Sequence, residues 1–104
     1  MAAGVRIIAW RMLREYIEAG HADAEPAMHG WYGRAKRAEW ASLQDVRRDF
    51  SSADLVGDRL VFNVGGNKYR LICGFSLADR LLFTKWIGTH AEYDRVEVRS
   101  AKMS

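Results

Sequence analysis

The chain has one cysteine, one proline and no long uninterrupted apolar run, and each scarcity removes a class of protein. Cys73 has no internal partner for a disulfide, and without a CxxC pair or a Cys/His cluster the spacing of a zinc site is missing as well. A reducing, cytoplasmic setting is the expectation. The N-terminal stretch MAAGVRIIAWRMLREY carries arginines among its apolar positions, so it lacks the core of a secretory signal and the roughly 20 apolar residues of a membrane span. One proline in 104 residues, with 49% hydrophobic and 28% charged side chains, also argues against a linker or a disordered tail. A chain of this length buries roughly two-thirds of its unfolded surface in one modest core. That leaves chemistry to an open face rather than to a deep cleft.

What is present is an uneven charge. Sixteen Lys and Arg stand against thirteen Asp and Glu, for a net +3. Residues 1–58 hold eight basic and nine acidic side chains, and residues 59–104 hold eight and four, so the positive excess lies in the C-terminal part. Twelve of the sixteen cations are arginine, whose planar fork matches a phosphate with two hydrogen bonds; a GC-rich coding bias yields the same excess.

Periodicity divides the chain into helices followed by strands. Residues 5–9 form a short β-branched run that predicts an edge strand, and Trp10, Leu13 and Ile17 then recur at helical spacing until Gly20. Asp23 is the expected N-cap of the longest helix, with Glu25 and Pro26 in its first turn and Ala24, Met28, Trp31, Ala35 and Ala38 on one face. Ser42 and Asp45 form a capping pair for a third, shorter helix through Leu43, Val46 and Phe50. Residues 51–58, SSADLVGD, read as a connecting loop.

From Arg59 the period becomes two. LVFNV, the pair Gly65-Gly66 and NKYRLICGF predict a hairpin, because two glycines supply the positive φ values of a tight turn. SLADR is a loop, LLFTKWIGT a third strand of an antiparallel meander, and Thr89-His90-Ala91-Glu92 a capping box that starts a helical turn. The expected fold is α+β: N-terminal helices packed on one face of a small, mainly antiparallel sheet, with a short C-terminal helical turn. One domain spans residues 5–98, and residues 1–4 and 99–104 are extensions.

Alternation in the hairpin's second strand sets Tyr69, Leu71, Cys73 and Phe75 against Lys68, Arg70 and Ile72. The first set belongs under the helices. In the last strand both faces are half apolar, which leaves its phase open. If Lys85 shares the face of Arg70, then Lys68, Arg70, Lys85 and His90 converge on a basic patch rimmed by Arg59, Asn63, Asn67 and Tyr93, a patch suited to a phosphodiester. An arginine between Tyr69 and Leu71 in a central strand is costly unless a carboxylate pairs with it or it faces a ligand. The helix dipole opposes protonation of His90, favouring an imidazole able to act as a base. His21 and His29 have no partner pattern and read as structural or solvated. Trp10, Trp31 and Trp40 fit helix faces and read as core rather than nucleobase platforms.

The segments VFNVGGNKYRLI and WIGTHAEYD, after this order of elements, resemble the HigB group of bacterial toxins in the RelE/ParE superfamily over about residues 5–98. The resemblance implies a RelE-like fold and the toxin of a type II toxin–antitoxin pair, an mRNA interferase that cuts messages on the translating ribosome. It further implies a helix-turn-helix antitoxin of the HigA kind as partner and no cofactor. By position it makes Arg70 the phosphate-binding arginine, with Lys68 as a basic helper and His90 and Tyr93 in the terminal catalytic element. Such a site would perform metal-free ribonuclease chemistry, in which a base frees the ribose 2′-OH to attack phosphorus and an acid protonates the leaving oxygen. Asp79, Glu92, Asp94 and Glu97 are scattered without the spacing of a two-metal nuclease. Two other classes remain open: a non-enzymatic inhibitor on the same scaffold, like gyrase-directed ParE relatives, and a basic nucleic-acid-binding module.

Overall fold

Gly65 and Gly66, with φ of +68° and +66°, reverse the chain between its two most regular strands, and the rest of the sheet is organised around that hairpin. In the computed structural model, which describes residues 4–66 and 68–95, the elements run β1 (Arg6–Ile8), α1 (Trp10–Glu18), a 3-10 turn (Ala22–Ala24), α2 (Glu25–Lys36), α3 (Leu43–Asp49), β2 (Asp54–Val56), β3 (Arg59–Val64), β4 (Tyr69–Ser76), β5 (Leu81–Thr89) and α4 (His90–Tyr93). The five strands lie in the order β1-β5-β4-β3-β2. The parallel pair is β1 with β5, and the other neighbours are antiparallel. The architecture is the expected α+β one.

The core lies between the helices and one sheet face. Leu13 of α1, Met28, Trp31 and Ala35 of α2 and Val46 of α3 are buried there with Leu60, Phe62, Val64, Tyr69, Leu71, Cys73 and Leu82. Phe62 is its aromatic centre: the Phe50 ring lies 5.1 Å away and the Trp31 ring 5.5 Å away, both edge-on, while Trp40 stacks at 6.5 Å. The Trp40 indole nitrogen donates to Asp49 at 2.9 Å, which satisfies its polar edge. Burial pushes the Cys73 thiol well above its ordinary pKa, so it behaves as a small core hydrophobe. Thr84, also buried, donates its hydroxyl to the carbonyls of Ile8 and Ala9 and ties the end of β1 to β5. Gly4 meets the end of α2 so closely that a Cβ there would lie 2.2 Å from the Lys36 carbonyl oxygen.

Two local expectations are corrected. Within residues 51–58, read as loop, Asp54–Val56 is a strand paired with β3 at the sheet edge. Three residues are too short to display a period, and two of them are exposed. Asp23 does not cap α2, whose N-cap is Ala24. Its carboxylate instead accepts from the Tyr69 hydroxyl at 2.8 Å and from the Lys68 ammonium. These bonds hold Asp23 below its ordinary value of 3.8, and the same contact raises Lys68 above 10.5.

A carboxyl lowered by folding contributes stability that is present above its unfolded pKa and lost as pH falls through the lowered value. The raised lysine contributes below its unfolded pKa and loses that contribution as pH rises through the raised value. The pair is therefore intact across neutral pH. Asp23→Asn is expected to lower the melting temperature slightly at pH 7, with the gap to wild type closing as pH drops below the ordinary carboxyl range. Melting curves across acid pH check this, and a gap that stays constant would place the contribution in packing rather than charge.

Candidate functional site

Because β4 alternates, Arg70, Ile72 and Gly74 project from the sheet face opposite α1, α2 and α3. Across the β3–β4 ladder Asn63 pairs with Arg70, Val61 with Ile72 and Arg59 with Gly74, so β3 adds two polar side chains to that face. Where the sequence left β5 without a phase, the structure supplies a β-bulge. Ile72 pairs with Trp86 but Cys73 pairs with Thr84, so Lys85 is the extra residue. The bulge turns both Lys85 and Trp86 to the open face while Thr84 and Ile87 remain buried. Tyr93 of α4 and Trp86 then pack on Val61, Ile72 and Val56 as a small apolar cluster.

Arg70 stands at the edge of this cluster. Its guanidinium carbon lies 5.8 Å from the centroid of the Tyr93 ring, and its Nη1 is buried without a hydrogen-bond partner among the described residues. No described carboxylate lies within salt-bridge distance of it, so among the described residues the ion-pair alternative raised from sequence has no partner. A buried guanidinium nitrogen left unpaired is costly, and an anion bound at this face would satisfy it. Burial raises the Tyr93 phenol above its ordinary value of 10, an effect that Arg70 partly offsets and that Asp54 and Asp94 reinforce. At neutral pH the Tyr93 hydroxyl therefore keeps its proton.

The other expected residues separate. Lys85 shares the face of Arg70, but its chain runs away from it, over Gly74, with Nζ 5.5 Å from the Phe83 ring centroid. Arg59 sits at that same end, largely covered, with Nε 3.8 Å from Asp58. Asn63 is directly opposite Arg70. Lys68 does not join the patch. It precedes β4 in the turn, where strand alternation does not apply, and pairs with Asp23 while lying over the Tyr69 ring. His90 opens α4 and is exposed. Its backbone N–H donates to the Lys68 carbonyl at 3.1 Å and its Nδ1 is 3.7 Å from Asp94. None of the described contacts joins its ring to Arg70. Asn67 lies outside the described residues.

The Thr89 capping box forms in full: its hydroxyl accepts from the Glu92 N–H, and the Glu92 carboxylate accepts from the Thr89 N–H at 2.8 Å. That reciprocal cap aims α4 back across the sheet and carries Tyr93 to Arg70. Sequence reasoning did not place Trp86 or Asp54 on this face, where the structure sets them by the β5 bulge and the β2–β3 pairing. The signal for Trp86 was the spacing Trp-x-Gly, since Gly88 faces Arg70 across the β4–β5 ladder and gives the indole room. Among the described residues no three His, Cys, Asp or Glu side chains are grouped as metal ligands, and no helix is long and apolar enough to cross a membrane.

The profile of a family described as HigB_toxin, RelE-like toxic component of a toxin-antitoxin system, matches residues 24–96. A curated relative, the mRNA interferase HigB of Escherichia coli O6:H1, is 32% identical over 73 residues, covering 67% of this chain and 71% of the relative.

Proposed function

Because this chain belongs to the HigB family, the RelE-like toxic component of toxin–antitoxin systems, we propose that it cuts mRNA on the translating ribosome by metal-free attack of the ribose 2′-OH, with Arg70 holding the scissile phosphate. The observation that carries this reading is the Arg70 guanidinium, with one buried nitrogen unpaired on an open face beside a tyrosine.

The 2′-oxygen loses its proton to a base and bonds to phosphorus, the bond to the 5′-oxygen breaks, and that oxygen receives a proton. The products are a 2′,3′-cyclic phosphate and a 5′-hydroxyl. Arg70 offers two parallel donors to the non-bridging oxygens, where negative charge builds up in the transition state. Tyr93, protonated at neutral pH, suits the role of proton donor to the leaving oxygen. His90, three residues earlier and exposed at the start of α4, is the base in this scheme. Asn63 lies beside Arg70 as a neutral contact for the backbone, while Lys85 and Arg59 lie farther along the same face, where a longer RNA segment would run.

The antitoxin partner that family membership implies would silence such a site most directly by laying an acidic or helical segment over Arg70 and Tyr93. A helix-turn-helix antitoxin of the HigA kind fits that role.

Expression without antitoxin should halt translation within a short pulse, and mapping mRNA 5′ ends should show new breaks that follow the reading frame. Protein synthesis that continues while DNA supercoiling changes would replace this reading with a gyrase-directed one. Equal cutting of naked and translated message by the purified protein would remove the ribosome from it.

A further inference from the structure

The β1 strand pairs with Leu81–Phe83 of β5, and among the described residues no strand lies beside the C-terminal half of β5 on that side. Along that edge lies a cleft of about 340 Å³ lined by Tyr16, Trp86, Ile87, Glu92 and Arg95. Gly88 explains its shape. A Cβ at this position would lie 2.4 Å from the Trp86 ring and 2.7 Å from Glu92 Oε1, so the bare glycine lets the indole lie across the strand. The Tyr16 hydroxyl on the cleft wall is buried and has no hydrogen-bond partner among the described residues. Trp86 and Arg70 are both neighbours of Tyr93, the indole 6.4 Å from its ring and the guanidinium 5.8 Å.

We propose that Trp86 is a stacking platform for a nucleobase next to the phosphate held by Arg70, with the β5-edge cleft receiving that base; this rests on the ribonuclease reading above. A partly exposed indole and a guanidinium that both neighbour Tyr93 match the two components of single-stranded RNA, a flat base and its adjoining phosphate. The cleft is shallow and of a size to receive one base. Glu92 and Arg95 on the cleft lining are the charged groups nearest to an incoming base edge, so Trp86 supplies affinity and these two supply preference. Trp86 is in this sense a specificity-determining residue and takes no part in proton transfer.

The test uses the purified protein and short single-stranded RNA carrying 2′-O-methyl groups, which binds but lacks the nucleophile. Wild-type tryptophan fluorescence should be quenched on binding, and Trp86→Leu should weaken binding on the order of tenfold or more. Trp86→Phe should keep most of the affinity and lose the quenching, since Trp10, Trp31 and Trp40 belong to the helical side. With cleavable message, Trp86→Leu should also redistribute the cut sites. Wild-type affinity and an unchanged cut pattern in Trp86→Leu would overturn the proposal while leaving the nuclease reading intact. If Trp86→Leu fails to fold, the quenching decides: Trp86→Phe quenched like wild type overturns it. A wild-type protein that neither binds this RNA nor cuts message on translating ribosomes overturns both, and an Arg70→Ala variant that still cuts normally there removes the phosphate site on which the platform depends.

Discussion

Arg70→Ala is expected to lower message cleavage by about 10²–10³-fold or more, the range found when a preorganised donor to a developing oxyanion is removed. Its melting temperature should stay near that of wild type. The two halves of this expectation come from the same geometry. A buried, paired arginine costs about 3–5 kcal/mol when deleted, because its carboxylate partner is stranded. Arg70 strands no described carboxylate, and its Nη1 is already unpaired, so removal relieves one unfavourable burial and loses one stacking contact with Tyr93. The contact is worth about 0.5–1 kcal/mol, which bounds the net change to a small value of either sign. Arg70→Lys separates charge from shape: it keeps the cation, loses the fork, and should recover little of the activity. Melting curves and a ribosome-dependent cleavage assay on each variant provide the check. A variant that cuts at the wild-type rate would remove Arg70 from the chemistry, and one that unfolds would return it to a structural role.

Arg70 was legible from sequence because alternation over Tyr69, Arg70 and Leu71 needs only a regular strand, and β4 is regular there. The capping box at Thr89 was legible because its bonds span three residues. The features that escaped depend on contacts between distant segments. Lys85 and Trp86 could not be assigned a face, since a bulge between Ile72 and Cys73 resets the period of β5 and is set by pairing, not by the residues of β5 alone. Lys68 was placed with Arg70 by counting twos through a turn where that count fails, and its partner Asp23 lies 45 residues earlier in the chain. Asp23 itself looked like a helix cap because a carboxylate before Glu25 and Pro26 suits one, but two donors from the hairpin compete for it. The candidate site is consequently narrower than the patch drawn from sequence. It centres on Arg70, Tyr93 and Asn63, with Trp86 beside Tyr93, His90 at the exposed start of α4, and Lys85 and Arg59 farther off along the face.

Phe62→Ala should produce the largest loss of stability, about 3–5 kcal/mol, because a fully buried ring is deleted from among Trp31, Trp40 and Phe50. In a domain of this size that lowers the melting temperature by more than about 10 °C. The rings around the void belong to α2, to the segment joining α2 to α3, and to the residue that ends α3, so they cannot close it without moving those elements. Yet Phe62 faces the helices, whereas its neighbours Val61 and Asn63 face the site, Asn63 opposite Arg70. One strand thus separates the stabilising face from the reacting one. Cleavage per folded molecule should therefore remain within a few-fold of wild type at temperatures where the variant is still folded, a difference well under about 1.4 kcal/mol in barrier height. Denaturant unfolding gives the stability, and the cleavage rate corrected for folded fraction gives the activity. A fall in the corrected rate comparable to that of Arg70→Ala would show that β3 transmits core packing to the site, and that the two faces of the sheet do not act independently.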